Sequence, residues 1–487
     1  MSDARVAFLL WGAAFLSRYV MYLGTEIFGT DSAEFLLMAQ WMREGRFHDA
    51  LNITYHPMYP LLISAMSLFT GDLERAGFWV SILLGSAAAV PLFFLVKSIF
   101  GRPAAVVTVL IYAFQPHTVE LGADIMTEPT FAFFFFSAMW LGWRSIEEPS
   151  LERSLLGGLA AGAAYLTRAE GVLAVGLVTV WPLLVGFARR EGRTARLGGA
   201  ALGLVAALLL AFPFLLWVRS EMGTWKISKK ASVTYAEGSL GAGGLREEDQ
   251  GAKEGRSRWS GRYAKLIQSL GRMTYIVTVP FLLLGLAGLR GHGWRGPLYF
   301  FSFPLGYLAG VVNSLRSLHY MSYRYVVPVA NLLMVVAGLG FVVLVRQLSK
   351  RWPPDQAVRT ACGAVALMIG VMAVPVLRPH RTEEATFRVA GQWLVEHRRK
   401  GDSFFTTTDK LVFLAGEGAR TYPLTMEAFQ ARVTKNPAAY YVFAEKDLDE
   451  RRRSYIDWLR SSGLVAEPVV LAGVRPGAWS VTIFPGR

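Results

Sequence analysis

GFWVSILLGSAAAVPLFFLVKS, residues 77–98, is a run of 22 residues whose only charge, Lys97, falls next to its end. A helix of about 20 apolar residues crosses the hydrocarbon of a bilayer, so this stretch reads as a membrane span. Ten more windows of similar character lie around it, at about 5–24, 103–120, 125–145, 153–168, 170–188, 196–218, 272–290, 296–313, 324–346 and 357–377. The composition agrees: of 487 residues 53% are hydrophobic, and the mean hydropathy is +0.35, above what a soluble domain carries. The first window is long for a secretory signal and no small-x-small cleavage site follows it, so it reads as a retained anchor.

The formal charge of +14 would suggest nucleic acid in a soluble protein. Here the cations gather in short loops between apolar spans, where topology explains them better. With the N-terminus cytoplasmic, the inside loops hold Lys97 and Arg102, Arg144 and Arg153, then Arg189, Arg190, Arg193 and Arg196. Later inside loops add Arg290, Arg295, Arg346, Lys350, Arg351 and Arg359. Short turns on the other side carry Glu120, Asp124, Arg168 and Glu170 instead. This is the positive-inside pattern of a plasma or inner membrane protein of a prokaryote. An odd number of spans then puts the loops at about 25–76 and 219–271, and everything after residue 377, outside. The loop at 219–271 has a Gly-rich, flexible middle, GSLGAGG, followed by a strongly charged run.

Residues 378–487 have a different texture. A polar helical pattern near 384–400, apolar segments at 403–407 and Tyr440–Phe443, a helix near 450–462, and strand-like VVLAG and WSVTIF alternate in the manner of a small α/β domain. The fold class that follows is a polytopic α-helical membrane domain over residues 1–377, with about 11 spans, and a soluble extracytoplasmic α/β domain over 378–487.

Several candidate groups sit on the outside. In FGTDSAEFLLMAQWMREGRFHDALNITYHPMYPLLISAM, residues 28–66, an amphipathic helix is expected from Ser32 to Glu44, lying along the membrane surface and closed by Gly45. Asp31 and Glu34 have the spacing of a capping box. The alternative is that Asp31 faces a cavity and takes a proton from an incoming hydroxyl as general base. Further on, Pro57 and Pro60 argue against a regular helix before Leu61, which would leave His56 and Tyr59 on an exposed turn. A lone histidine is more often structural than a ligand, and Tyr59 also suits an interfacial aromatic.

Glu128 falls in the first turn of an apolar span in GADIMTEPTFAFFFF, where an ionisable group is costly and is usually paired or functional. Arg168 and Glu170, in AYLTRAEGVL, occupy a turn too short to leave the membrane surface and can simply pair with neighbouring charges. NSLRSLHYMSYRYVVPVAN brings Arg316, His319, Tyr320, Tyr323, Arg324 and Tyr325 together. Cations among aromatic hydroxyls suit a phosphate, although arginines and tyrosines also anchor helices at interfaces.

Other chemistries lack their minimum parts. No histidine pair has zinc spacing, no GxxxxGK[ST] loop or GxSxG turn occurs, and Cys362 stands alone, so no intramolecular disulfide forms. Neither an internal repeat nor a pair of broken helices in corresponding halves is evident, which counts weakly against a secondary transporter.

From about residue 5 to 346 the chain resembles the GT-C glycosyltransferases, of the family 39 and aminoarabinose-transferase type. The resemblance rests on Asp31 with the following MAQWMREGRF, on HPMYPLL, on the turn at Arg168, Glu170 and Gly171, and on SYRYVVP. It implies a GT-C-like fold and transfer of sugar from a polyprenyl-phosphate donor to a lipid, glycan or protein acceptor, with Asp31 as the base and inversion at the anomeric carbon. Many relatives have Asp-Glu where this chain has Asp31 and Ser32, which makes Glu34 or Glu128 candidate second acids. By the same resemblance His56 is a phosphate contact, joined as candidates by Tyr59, Arg168, Glu170, Arg316, His319, Tyr323 and Arg324. No cofactor is obligatory and no metal ligand set is expected, although a divalent ion is compatible with the chemistry. A transporter or flippase of a lipid-linked saccharide would use the same basic and aromatic cavity, but needs polar residues continuing to the other face. An outer-face scaffold would instead make the C-terminal domain the working part.

Overall fold

The computed structural model describes residues 1–52, 54–228, 257–317, 323–399, 401–406, 408–416, 419–421, 426–435, 437–444, 450–472 and 479–486. GSLGAGG and the charged run after it lie largely outside these residues. Each of the eleven windows falls on helix: Asp3–Leu23, Leu73–Ala87 continued by Ala89–Phe100, Arg102–Phe114, Thr127–Glu147, Leu151–Thr167, Val172–Ala188, Arg193–Met222, Val279–Gly288, Arg295–Ser317, Val327–Leu348 and Pro354–Val376. By length and composition six of the described helices are fit to cross a membrane, and up to eight if two bent pairs each make one span. Eleven is therefore a count of helical windows, and the number of crossings is not fixed by it.

Two stretches read as single windows, 103–120 and 272–290, are bent. Arg102–Phe114 meets Pro116–Gly122 at 62°, because Gln115 precedes a proline and is driven out of the helical region, to φ −63° and ψ 118°. The Gln115 amide accepts from the Thr118 N–H just past the break and donates to the Met273 carbonyl of helix Ser257–Thr274 at 2.6 Å. The second bend, 72° between Leu266–Thr274 and Ile276–Gly291, turns on Tyr275, a non-glycine residue at φ +58°.

Two helices from the first large loop depart in part from the sequence reading. Ser32–Arg43 is helical as expected, but its apolar face (Ala33, Phe35, Leu36 and Ala39) is buried against protein, the helices Met58–Thr70 and Asp409–Ala415. The second of these loop helices starts at Met58, three residues ahead of Leu61. Pro60 is tolerated there because the first helical turn has no carbonyl to receive its N–H.

The C-terminal region forms a five-stranded sheet of order β2-β1-β3-β5-β4 from β1 (Phe404–Thr406), β2 (Ala419–Thr421), β3 (Tyr440–Ala444), β4 (Val469–Leu471) and β5 (Val481–Pro485). β2, β1 and β3 run parallel, and β5 pairs antiparallel with both β3 and β4. The helices Asp409–Ala415 and Met426–Lys435, and strand β2, are elements that hydropathy alone did not pick out.

This sheet is joined to the helical domain by one shared core and a set of ion pairs. Ile27, Phe28 and Leu36 pack in the same cluster as Phe387, Phe404 and Leu411. Asp124, 4% exposed, accepts from the N–H of Gly29 at 3.0 Å and of Ile125 at 2.8 Å, and pairs with Arg381 at 2.7 Å. A Cβ at Gly29 would stand 2.8 Å from the Asp124 carboxylate, so a side chain there would push the carboxylate aside. Arg381 also pairs with Glu384 at 3.3 Å, and Glu384 with the buried Lys410. Arg388 grips Glu74 through two bonds, of 3.1 and 2.6 Å. Asp124→Ala removes the central acceptor of this junction and is expected to lower stability by about 2–4 kcal/mol, read as a lower melting temperature and faster proteolysis of the C-terminal region.

Candidate active site

The end of the helical domain that carries the sheet also gathers the charged residues. Asp31 precedes helix Ser32–Arg43 with helical backbone angles, φ −65° and ψ −20°, and its carboxylate caps no N–H of that helix. The capping-box expectation is therefore corrected: the Asp31 carboxylate pairs instead with the guanidinium of Arg324. Arg324 is held on the short turn Tyr323–Val326 that leads into helix Val327–Leu348. Its Nε lies 3.8 Å from Glu128 Oε1, and one of its terminal nitrogens is 3.0 Å from Met126 Sδ.

Glu128 in turn accepts from Arg168 Nη1 at 2.8 Å, and Arg168 Nη2 donates to Glu170 Oε1 at 3.0 Å. The Tyr307 hydroxyl reaches the same oxygen of Glu170 at 3.4 Å. Asp31, Arg324, Glu128, Arg168 and Glu170 thus form a ladder of alternating sign, drawn from four separate parts of the chain. The rung at Arg168 has a local cause. Helix Leu151–Thr167 stops where Arg168 turns extended, and the 3-10 turn Ala169–Gly171 folds back on it. The return is so tight that a Cβ at Gly171 would lie 2.2 Å from the backbone nitrogen of Tyr165.

Burial gives the ladder its weight. The side chains of Glu128 and Arg168 are 5% and 13% exposed. Removing one partner of such a pair leaves the other charge without compensation, at about 3–5 kcal/mol. Arg168 also keeps a buried Nε that has no hydrogen-bond partner among the described residues. A small cavity lies against Glu128 and Arg168, with Phe131, Phe135, Phe136, Val327, Pro328 and Asn331 among its other walls.

The remaining candidates are placed as follows. Glu34 is half-buried one turn along the helix from Asp31. His56 and Tyr59 are buried, 5% and 0% exposed, which corrects the exposed turn expected from Pro57 and Pro60. The His56 ring packs 5.3 Å from Tyr165 and 5.0 Å from Phe214. The Tyr59 hydroxyl is bonded to Ser81 Oγ at 2.7 Å. The side chains of Arg316 and Tyr323, and the whole of His319, lie outside the described residues. Among the described residues no three His, Cys, Asp or Glu side chains converge as metal ligands.

One residue went unnoticed in the sequence. Asp409 begins the helix that packs on Ser32–Arg43, which brings the sheet region to the Asp31 side of the ladder. Burial, and then the charge of Asp31, push its carboxyl up from the ordinary range. Nothing local marks TTTDKLVFLAG as a site, so only the fold could reveal it. A raised carboxyl contributes its full share of stability below the ordinary carboxylate range and loses it as pH rises through the raised value. Asp409→Asn, neutral throughout, is therefore expected to melt higher than the native chain at pH 7–8, with the gap closing toward about pH 4. Melting curves across that range check it.

Residues 55–217 match the model of the dolichyl-phosphate-mannose-protein mannosyltransferase family, a stretch that includes His56, Glu128, Arg168 and Glu170 but neither Asp31 nor Arg324. Comparison with curated protein sequences finds no significant match. Among solved structures, ArnT from Cupriavidus metallidurans in the apo state is 15% identical with a TM-score of 0.62, over 99% of this chain and 98% of that one. The same protein bound to undecaprenyl phosphate is 13% identical with a TM-score of 0.59, over the same shares of both chains, 99% and 98%. The oligosaccharyltransferase AglB from Archaeoglobus fulgidus, in complex with an inhibitory peptide and a dolichol-phosphate, is 9% identical with a TM-score of 0.58, over 99% of this chain and 74% of that one. The family match covers about a third of the chain, and over nearly its whole length the chain shares the fold of ArnT and AglB.

Proposed function

We propose that this protein is a membrane glycosyltransferase of the GT-C type that moves a sugar from a polyprenyl-phosphate donor to a hydroxyl or similar group of an acceptor on the outer face of the membrane, with Asp31 as general base. The observation that carries the reading is Arg324 held between Asp31 and Glu128. A phosphate arriving at this end of the helices meets two arginines, Arg324 and Arg168, already fixed by carboxylates and able to stabilise the charge that develops on the leaving phosphate. That ArnT and AglB were solved with undecaprenyl phosphate and a dolichol-phosphate supports a polyprenyl phosphate as the carrier. The basic short loops at the far ends of the helices support an outward-facing ladder.

In this scheme the donor phosphate competes with Asp31 for the Arg324 guanidinium. Asp31, released, accepts the proton of the acceptor hydroxyl as its oxygen bonds to the anomeric carbon. The bond from that carbon to the phosphate oxygen breaks, its electron pair leaves with the polyprenyl phosphate, and the configuration inverts because a single displacement has occurred. The acceptor approaches from the side that the sheet region and Asp409 cover. The acceptor itself is a lipid, a glycan or a protein.

Asp31→Asn is expected to cut sugar transfer by about 10²–10⁴-fold while the protein still binds polyprenyl phosphate. Arg168→Gln is expected to lose about 10²–10³-fold. Product analysis by nuclear magnetic resonance should find the anomeric configuration opposite to that of the donor. Unchanged turnover in Asp31→Asn, or retained configuration, overturns the scheme.

A further inference from the structure

Two of the helices that build the ladder have a second charged end. Thr127–Glu147 carries Glu128 at one end and Arg144 at the other, about 24 Å away along a helix rising 1.5 Å per residue. Leu151–Thr167 runs back, with Arg153 at its start and Arg168 just past its close. Between these far ends and the helix Ala89–Phe100 lies a cleft of about 400 Å³, lined by Phe94, Lys97, Trp140, Leu141, Arg144 and Arg153. Its volume is that of a small-molecule site.

The cleft has two chemically distinct walls. Phe94 and Trp140 stack with ring centroids 5.2 Å apart and planes 23° from parallel, and Leu141 extends this surface. The rim is cationic and short of counter-charge. Lys97 and Arg102 share Asp3, while Arg144 and Arg153 share Glu148, at 2.6 and 3.0 Å. Among the described residues two carboxylates thus answer these four cations, and the exposed Glu147 and Glu152 form no ion pair with them. Lys97, Arg144 and Arg153 each keep about a third of the side chain exposed, 35%, 35% and 34%, so donors remain for a further anion.

We propose that this cleft binds an anionic glycerophospholipid of the leaflet opposite the ladder, its phosphate on Lys97, Arg144 and Arg153 and an acyl chain along Phe94, Trp140 and Leu141. A soluble anion would gain nothing from the aromatic wall, and an uncharged lipid nothing from the rim. Basic pockets between spanning helices are suited to such headgroups, and the site is separate from the proposed sugar transfer, so it stands or falls independently of it.

Native mass spectrometry of the purified full chain, titrated with phosphatidylglycerol, with phosphatidylcholine of the same acyl chains and with glycerol 3-phosphate, tests the proposal. Phosphatidylglycerol is expected to be held on the order of tenfold more tightly than phosphatidylcholine. R144Q/R153Q should erase that preference, and R189Q/R190Q, basic residues at the same end but outside the cleft, should leave it intact. Should R144Q/R153Q fail to purify, Trp140→Ala gives an independent reading and should weaken phosphatidylglycerol binding. Equal retention of the two lipids, glycerol 3-phosphate binding as tightly as phosphatidylglycerol, or loss of the preference in R189Q/R190Q as well, overturns the proposal.

Discussion

Glu128 is a carboxylate sunk into the first turn of an apolar helix, and the cost of leaving it there alone organises the site. Ionisable groups at membrane depth survive only with partners, and here the partners come from far along the chain. Arg168 arrives on the turn between two helices, and Arg324 on the turn before another. Each arginine then carries a second carboxylate of its own, Glu170 and Asp31. Neutralising one buried acid has therefore fixed the positions of two cations and placed a third, more accessible carboxylate beside one of them. That is an arrangement ready for an anionic leaving group and a proton to be removed.

The second constraint is the junction with the sheet. Asp124 sits four residues before Glu128 and is spent on structure: it fastens the loop at Gly29 and the Arg381 of the C-terminal region. Asp31 lies two residues after Gly29, so the same junction that docks the sheet sets where Asp31 stands. The helix that Asp409 begins then packs the sheet region against the helix that follows Asp31. Stability of the junction and placement of Asp31 are one problem solved by neighbouring residues.

Much of the helical domain was legible because apolar windows of span length have few alternatives in water, and each of them is helix. The breaks were not, since Gln115–Pro116 and Tyr275 bend helices without interrupting the hydropathy that a window averages. Glu128 was legible as an ionisable group where charge is costly, and Asp31 and Arg168 as charges on an outside loop and a short turn, but that Arg324 bridges Asp31 and Glu128 depends on contacts across 293 and 196 residues of chain that no local pattern encodes. His56 and Tyr59 show the opposite error: two prolines suggested an exposed turn, while aromatic packing from Phe35, Tyr165 and Phe214 buries both. Asp409 was invisible because its meaning lies in the docking of one helix onto another.

If Arg324 is shared between Asp31 and the phosphate of the donor, the two compete for one guanidinium. Titrating purified native protein, Asp31→Asn and Arg324→Gln with a polyprenyl phosphate, and measuring the three affinities, tests it most directly. Asp31→Asn is expected to bind the phosphate at least as tightly as the native chain, since Arg324 is relieved of one of its two carboxylates, and Arg324→Gln to bind it more than tenfold more weakly, on the order of one charge-assisted contact. Affinity lost in Asp31→Asn, or unchanged in Arg324→Gln, would contradict it.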